Sequence, residues 1–392
     1  MLKPVLKPVL KPVLMLILAS SLINTASAVQ LLGDVEVSRL PTAEKNMGEV
    51  VTRYQALDDG LAQLSSKKNE VDATQLVARQ GHRLWQQAVR DVQSGHVDDR
   101  PLYWARLAML NSLKSTSANF KMADWQNDIL MSAVEKASRG FSDIQYADDV
   151  QIKIFLTGFD PFFLDKDITQ SNPSGLVALA LDGFRFDVNG KTAQIETAMV
   201  PVRFEDFDQG LIESLLSPIY RDPKTQFVFT VSMGRTDFDI ERFPARNRSA
   251  AAPDNQNVLT GGTKTAPVAP KLNGKDFIGP QFVEFSLPVA AMQVKDGQWK
   301  VNDNHTVTTL ARGEFSATSL NELQNETSVE GSGGGYLSNE ISYRAIVLQQ
   351  KFNSHAKVGH IHTPRVKGYD ADTEQAIVEQ VRTMVMQAVA SL

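Results

Sequence analysis

The sequence of 392 residues contains no cysteine. Disulfides, thiolate metal ligands and thiol nucleophiles are therefore excluded, and stability has to come from core packing. A basic block is missing as well. The 40 Lys and Arg are outnumbered by 45 Asp and Glu, giving a formal charge of −5, and phosphate binding needs clustered cations, so nucleic acid is not the expected partner. No apolar run is long enough to span a bilayer as a helix, which argues against an integral membrane protein. What is present is ordinary for a globular protein with a real core: 42% hydrophobic and 22% charged residues, over a length that suits two domains.

Residues 1–28 read as an export signal. Lys3, Lys7 and Lys11 lie near the start, residues 13–23 are apolar, and Ala26-Ser27-Ala28 has the small-x-small pattern of a signal-peptidase site. Removing this leader takes three lysines and no acid, moving the charge from −5 to −8. The expected localisation is periplasmic or secreted.

Residues 29–145 are expected to form a helical domain. Asp72-x-x-Gln75 has the form of a capping box, and Val77, Leu84, Trp85, Ala88 and Val92 fall on one helical face. Pro101 suits a first helical turn, with Tyr103, Leu107, Leu110 and Leu113 following at helical spacing. A further helix is expected over 122–138. Trp85, Trp104 and Trp125 are read as core, since aromatic residues at helical spacing usually pack inward.

The pattern changes near Gln151. Apolar strands at 152–159, 195–202 and 227–232 alternate with helices at 173–181 and 204–216, and residues 151–392 are expected to form an α/β domain with a mostly parallel sheet flanked by helices. Residues 260–275 read as a surface loop, and 292–308 as a hairpin turning at Asp296-Gly297. A helix over 339–352, a strand over 357–362 and an amphipathic closing helix over 371–392 complete the domain.

Three segments at predicted strand ends carry chemistry. Gly158-Phe159-Asp160-Pro161-Phe162, followed by Asn172-Pro173-Ser174, can wall a small flat pocket with two aromatic rings and an amide. The run from Gly234 to Arg242, continuing to Asn255, is dense in charge, which in most loops means solvation. The third segment pairs the turn Gly331-Ser332-Gly333-Gly334-Gly335 and Ser338 with His360-Ile361-His362-Thr363-Pro364. A serine at a helix start sits near unpaired backbone N–H groups that can stabilise negative charge. The glycine turn lacks the third glycine of a dinucleotide loop and the Gly-Lys of a P-loop, and Ser338 has no Gly-x-Ser-x-Gly frame. His360 and His362 share a strand face, but with neither Cys nor His-Glu-x-x-His no metal is assigned, and no cofactor is implied.

In order, the motifs GFDPF…NPS, a VPV strand, GRTD…ER…N…PDN, a glycine-rich turn and IHxP resemble pyroglutamyl peptidase I, a cysteine peptidase family that removes an N-terminal pyroglutamyl residue. The resemblance covers residues 152–364. It implies that Glu241 and His362 take the family's catalytic glutamate and histidine positions, and that Ser338 stands where the family has its nucleophilic cysteine. Phe159, Phe162 and Asn172 would shape the substrate pocket, and backbone N–H groups at Leu337 and Ser338 would form an oxyanion hole. Thr230-Val231-Ser232-Met233 replaces a segment in which the family has a ring-recognising glutamine, and residues 258–320 exceed the family's length. The implied function is an exported peptidase or amide hydrolase acting through Ser338, His362 and Glu241 on a peptide or small amide. The alternative is an inactive family member that binds peptide ends or small ligands. A homo-oligomer is compatible with either.

Overall fold

The helical pattern at the start of the chain is realised as α1 (Asp34–Ser38), α2 (Leu40–Thr52), α3 (Gln55–Asp59), α4 (Glu70–Gln93), α5 (Arg100–Ser115) and α6 (Asp124–Ala137). These come from a computed structural model that describes residues 34–116, 118–295 and 297–392. The export signal read at 1–28 lies outside the described residues. In α4 the cap is Asn69, whose side chain accepts from the Asp72 N–H at 2.9 Å, three residues before the expected capping box. Asp72 instead joins Glu70 in the first turn, where the helix dipole favours acids. Pro101 lies in the first turn of α5, as the sequence predicts. Trp85 and Trp104 are fully buried, whereas Trp125 is 58% exposed. Trp125 opens α6, and burial on that helix begins only at Leu130, so helical spacing alone misplaced it.

The α/β part contains β1 (Ile152–Phe159), α7 (Pro173–Leu181), β2 (Arg185–Val188), β3 (Lys191–Val200), α8 (Phe204–Asp208), α9 (Leu211–Arg221), β4 (Thr225–Met233) and β5 (Phe238–Glu241). The expected helix over 204–216 is divided because Gly210, at φ +81, interrupts it. Next come β6 (Lys271–Leu272), β7 (Lys275–Asp276), β8 (Val301–Asn304), β9 (Thr306–Thr309), β10 (Gly313–Ser316) and β11 (Ser328–Glu330), then α10 (Leu337–Lys351), β12 (Lys357–Thr363) and α11 (Ala371–Ala390).

Seven strands form one mixed, mostly parallel sheet in the order β2-β3-β1-β4-β12-β5-β8. The pairs β3–β1, β1–β4, β4–β12 and β5–β8 are parallel; β2–β3 and β12–β5 are antiparallel. Successive residues of β1, β3 and β4 are buried, which requires cover on both faces and explains their unbroken apolar runs. Helix α7 packs against α11, and α9 against α10. Gly158 permits the close fit of β1 on α7, since a Cβ there would lie 2.1 Å from the Ser174 carbonyl oxygen.

The expected hairpin over 292–308 is not formed among the described residues. Residues 297–300 carry no strand, and Asp296 lies outside the described set. The antiparallel hairpin falls later, between β9 and β10, while β8 joins the main sheet beside β5. Register with β5 outcompeted the local Asp-Gly turn signal.

One apolar core runs from Ala43 and Trp85 through Phe155 and Phe229 to Val389, so the helical region and the sheet share it. Each large side chain buried there contributes roughly 1.5–3 kcal/mol. Polar contacts tie the same two regions. Asp160, just after β1, receives Arg106 Nη1 at 2.9 Å and Arg139 Nη1 at 2.6 Å, all three groups being almost completely buried. Arg203, just after β3, pairs with Glu36, Glu135 and Asp206.

Candidate functional site

The parallel strands β1, β3, β4 and β12 end at the same side of the sheet, and a cavity of about 210 Å³ opens there. Phe159, Phe162, Asn172, Leu337 and Ser338 all line it, so the structure brings together both groups of pocket residues expected from sequence. Phe163, Ser232, Met233, Tyr336 and Arg365 line it too, without having been singled out as site residues.

Phe159 stacks on Phe207 with centroids 6.4 Å apart, which fixes one aromatic wall. Phe162 and Phe163 touch at 4.3 Å between centroids. Phe163 has φ +64, a left-handed conformation that is costly for a bulky residue, so backbone strain is held at the pocket wall. Asn172 is held in place by hydrogen bonds on both sides of its amide. Its Oδ1 accepts from the N–H and hydroxyl of Ser174, capping α7, and its Nδ2 donates to the Asp160 carbonyl at 2.9 Å. One Nδ2 hydrogen is left for a ligand.

Glu241, the last residue of β5, and His362, near the end of β12, are joined through His362 Nδ1 and Glu241 Oε1. Both are buried. Burial raises the Glu241 pKa above the ordinary carboxylate value, opposed by the charge and hydrogen bond of His362. With Nδ1 directed at the carboxylate, Nε2 of the neutral ring is the acceptor. Gly234 allows this arrangement, because a Cβ there would lie 2.7 Å from that of His362.

Asn304 completes the pair. It lies directly across from Glu241 in the β5–β8 register, donating from Nδ2 to Glu241 Oε2 at 2.9 Å and to the Ser332 carbonyl at 2.9 Å. Asn304 thus gives the carboxylate a second partner and ties it to the glycine turn.

Ser338 is the second residue of α10, a helix with no side-chain cap. The first-turn N–H groups of Leu337 and Ser338 have no intrahelical acceptor, and they carry the positive end of the helix dipole. The turn before the helix is pinned by Asn339, which accepts from the Ala245 N–H at 2.8 Å and donates to the Ala245 carbonyl at 2.7 Å. Gly333 borders both partners: a Cβ there would lie 3.5 Å from His362 Cε1, and its carbonyl accepts from the Ser338 hydroxyl at 3.3 Å. Among the described residues no hydrogen bond joins Ser338 to His362.

The charge-rich run after β4 begins exposed at Arg235 and Thr236, but from Glu241 onward its charged groups are paired. Arg242 pairs with Asp303 and Glu284, Arg248 with Asp208 and Glu340, and Asp254 accepts from the Phe204 N–H. Asn255 donates to the Pro161 carbonyl at 2.9 Å, bracing the aromatic wall. Of this run, Glu241 is the residue that bonds the His362 ring. His360 and His362 do share a face, with rings 4.7 Å apart, but their nitrogens are directed at Thr230, Ser232 and Glu241. Among the described residues no cluster of three His, Asp or Glu is placed to hold a metal, and no helix is long and apolar enough to cross a membrane.

The sequence matches the family described as PA0049, C-terminal domain, over residues 153–275 and 293–367, and the PA0049 N-terminal domain over residues 21–135. A protein of Pseudomonas aeruginosa, described as uncharacterized protein PA0049, is 28% identical over 389 residues, covering 76% of this chain and 70% of that protein. Pyrrolidone carboxyl peptidase of the hyperthermophile Pyrococcus furiosus shows a distant likeness. The report with its cysteine-free mutant has 21% identity and TM-score 0.40, covering 61% of this chain and 99% of that one. A mutant of the same enzyme has 21% identity and TM-score 0.41, covering 61% and 98%.

Proposed function

The chain belongs to the PA0049 family, and on that premise we propose that it is an exported amide hydrolase of the pyroglutamyl-peptidase type, with Ser338 as nucleophile. The observation that carries this reading is the buried Glu241–His362 pair set against the glycine turn that leads into Ser338, beside an aromatic-walled cavity. In the proposed reaction the Ser338 oxygen attacks the substrate carbonyl while His362 Nε2 takes the hydroxyl proton. Glu241 stabilises the resulting imidazolium, and the oxyanion meets the N–H groups of Leu337 and Ser338. Collapse expels the amine, which leaves with the proton from His362, and water then frees the acyl group from the serine. The substrate class, a blocked N-terminus such as pyroglutamyl, rests on the motif order in the sequence.

The second reading, a binding protein without turnover, is favoured by one observation. The Ser338 hydroxyl is directed at the Gly333 carbonyl and makes no bond to His362. Catalytic hydrogen bonds often tighten only when substrate is bound, so this contact does not remove the first reading.

A serine-directed fluorophosphonate, followed by peptide mapping, separates the two. Hydrolase chemistry requires labelling at Ser338, its loss in His362→Ala, a smaller loss in Glu241→Gln, and release of a pyroglutamyl-amide reporter that fails in Ser338→Ala. An unlabelled Ser338 in a protein that still binds pyroglutamyl peptide overturns the hydrolase and establishes the binder.

A further inference from the structure

The parallel ends of β4 and β12 carry Thr230, Ser232, His360 and His362. Register pairs His360 with Thr230 and His362 with Ser232, and the strand period of two puts all four on one face. His362 is engaged by Glu241. His360 has a different setting: fully buried, it has Nδ1 2.8 Å from Thr230 Oγ1 and Nε2 2.7 Å from Ser232 Oγ. Ser232 in turn lines the cavity.

Burial, assisted by the neighbouring His362, holds the His360 pKa well below the ordinary imidazole value. The ring is therefore neutral, with one N–H donor and one acceptor nitrogen. Two arrangements are open to it. With the hydrogen on Nδ1, His360 donates to Thr230, whose hydroxyl passes on to the Gly359 carbonyl at 3.4 Å, and Nε2 accepts from Ser232. With the hydrogen on Nε2, the Thr230 hydroxyl must turn to Nδ1 and the contact with Gly359 is lost. The first arrangement makes one more hydrogen bond, and a buried polar chain favours the arrangement that leaves fewest groups unpaired.

We propose that Ser232 is a specificity residue of the cavity: oriented by His360, its hydroxyl oxygen presents lone pairs to the ligand and selects an amide or lactam N–H. This rests on the reading of the cavity as an amide substrate site. Ser232 lies two residues before Gly234, in the segment where the resemblance to pyroglutamyl peptidase I misses a glutamine. The same geometry makes Ser232 a poor nucleophile. Its proton would have to charge His360, a ring buried against Thr230 with no carboxylate bonded to it.

The test uses the mature chain and two small probes, 2-pyrrolidinone and its N-methyl derivative, which lacks the N–H. Titrations followed by NMR should show the wild type preferring the N–H lactam roughly five- to tenfold, the worth of one hydrogen bond. Ser232→Ala should lose the preference, and Ser232→Thr, which restores the hydroxyl, should recover it. Nitrogen-15 shifts of the wild-type His360 ring should report a neutral Nδ1–H tautomer at pH 7, a readout that a purely packing role would not require. An Nε2–H tautomer, or equal binding of both lactams, overturns the inference and spares the amide-site reading. Absence of binding by either lactam overturns both.

Discussion

Asn304 faces Glu241 across paired strands and donates to the carboxylate oxygen that His362 leaves free, at 2.9 Å. The same amide holds the Ser332 carbonyl, so one side chain fixes the acid relative to the turn that precedes Ser338. The carboxylate is buried and already raised in pKa by that burial, while the bonds from His362 and Asn304 act in the opposite direction.

Replacing Asn304 by Leu removes one of these opposing bonds and should raise the Glu241 pKa further. Only the ionised acid orients and stabilises His362, so the acid limb of the rate profile should move to higher pH. At neutral pH the labelling or hydrolysis rate should fall roughly tenfold, comparable to one hydrogen bond to a charged group. An unchanged pH profile would separate Asn304 from the chemistry.

Arg106 and Arg139 converge on Asp160, which stands between Phe159 and Phe162 in the chain. Arg106→Met leaves the buried carboxylate with one guanidinium fewer. Breaking a buried pair from one side costs about 3–5 kcal/mol, and urea denaturation should show a loss of that order. The lactam titrations should weaken in parallel, because the aromatic wall hangs on Asp160.

A second buried acid cluster predicts how stability varies with pH. Glu374 is pushed up to about 8, chiefly by burial, with the hydrogen bond from Ser171 opposing and Asp98 adding to the rise. Asp99 is raised by burial and by Glu374 itself, and it accepts from the Asn172 N–H. Among the described residues Glu374 Oε2 has no hydrogen-bond partner, a setting that suits an uncharged acid. Because the folded state holds a proton that the unfolded chain releases near the ordinary glutamate value, this group's contribution to stability is fully present below that value and is lost as pH rises toward about 8. Urea midpoints should fall between pH 5 and pH 8.5, and Glu374→Gln should flatten that slope.

Export is predicted from residues 1–28. N-terminal sequencing of the protein recovered outside the cytoplasm should begin at Val29. Recovery of an intact Met1 from a soluble cytoplasmic fraction would refute it.

Four strands of the sheet, and the segments at their ends that line the cavity, could be read from sequence because of how a parallel sheet ends. Within those segments, Glu241, Ser338 and His362 were singled out by the resemblance to pyroglutamyl peptidase I. Apolar runs such as Ile152–Phe159 stop abruptly in glycine, proline and polar residues, and those stops gather on one side. Partnerships across long sequence separations were not readable. Asn304 lies 63 residues beyond Glu241 in the sequence, and only strand register brings it there. Arg106 and Arg139 look like ordinary helix-surface cations until Asp160 is packed against them. Phe163 was overlooked because its left-handed backbone, which no periodicity reveals, puts a third ring at the cavity. Arg365 and Tyr336 carried only a positional signal, as immediate neighbours of the His-Thr-Pro and Leu-Ser segments.

The pair of hydrogen bonds between Asn339 and Ala245 has a kinetic consequence. Ala245 lies four residues beyond Glu241 and Asn339 directly follows Ser338, so the Asn339 side chain latches the start of α10 to the main chain on the other side of the site. Main-chain movement at the serine is opposed by both bonds. The approach of its hydroxyl to His362 that leaves these bonds intact is rotation about the Cα–Cβ bond, away from the Gly333 carbonyl. Such rotations take picoseconds to nanoseconds, far faster than turnover by typical enzymes. Arming this site would add no slow conformational step to the reaction, and a ligand would select between two rotamers rather than between two shapes of the protein.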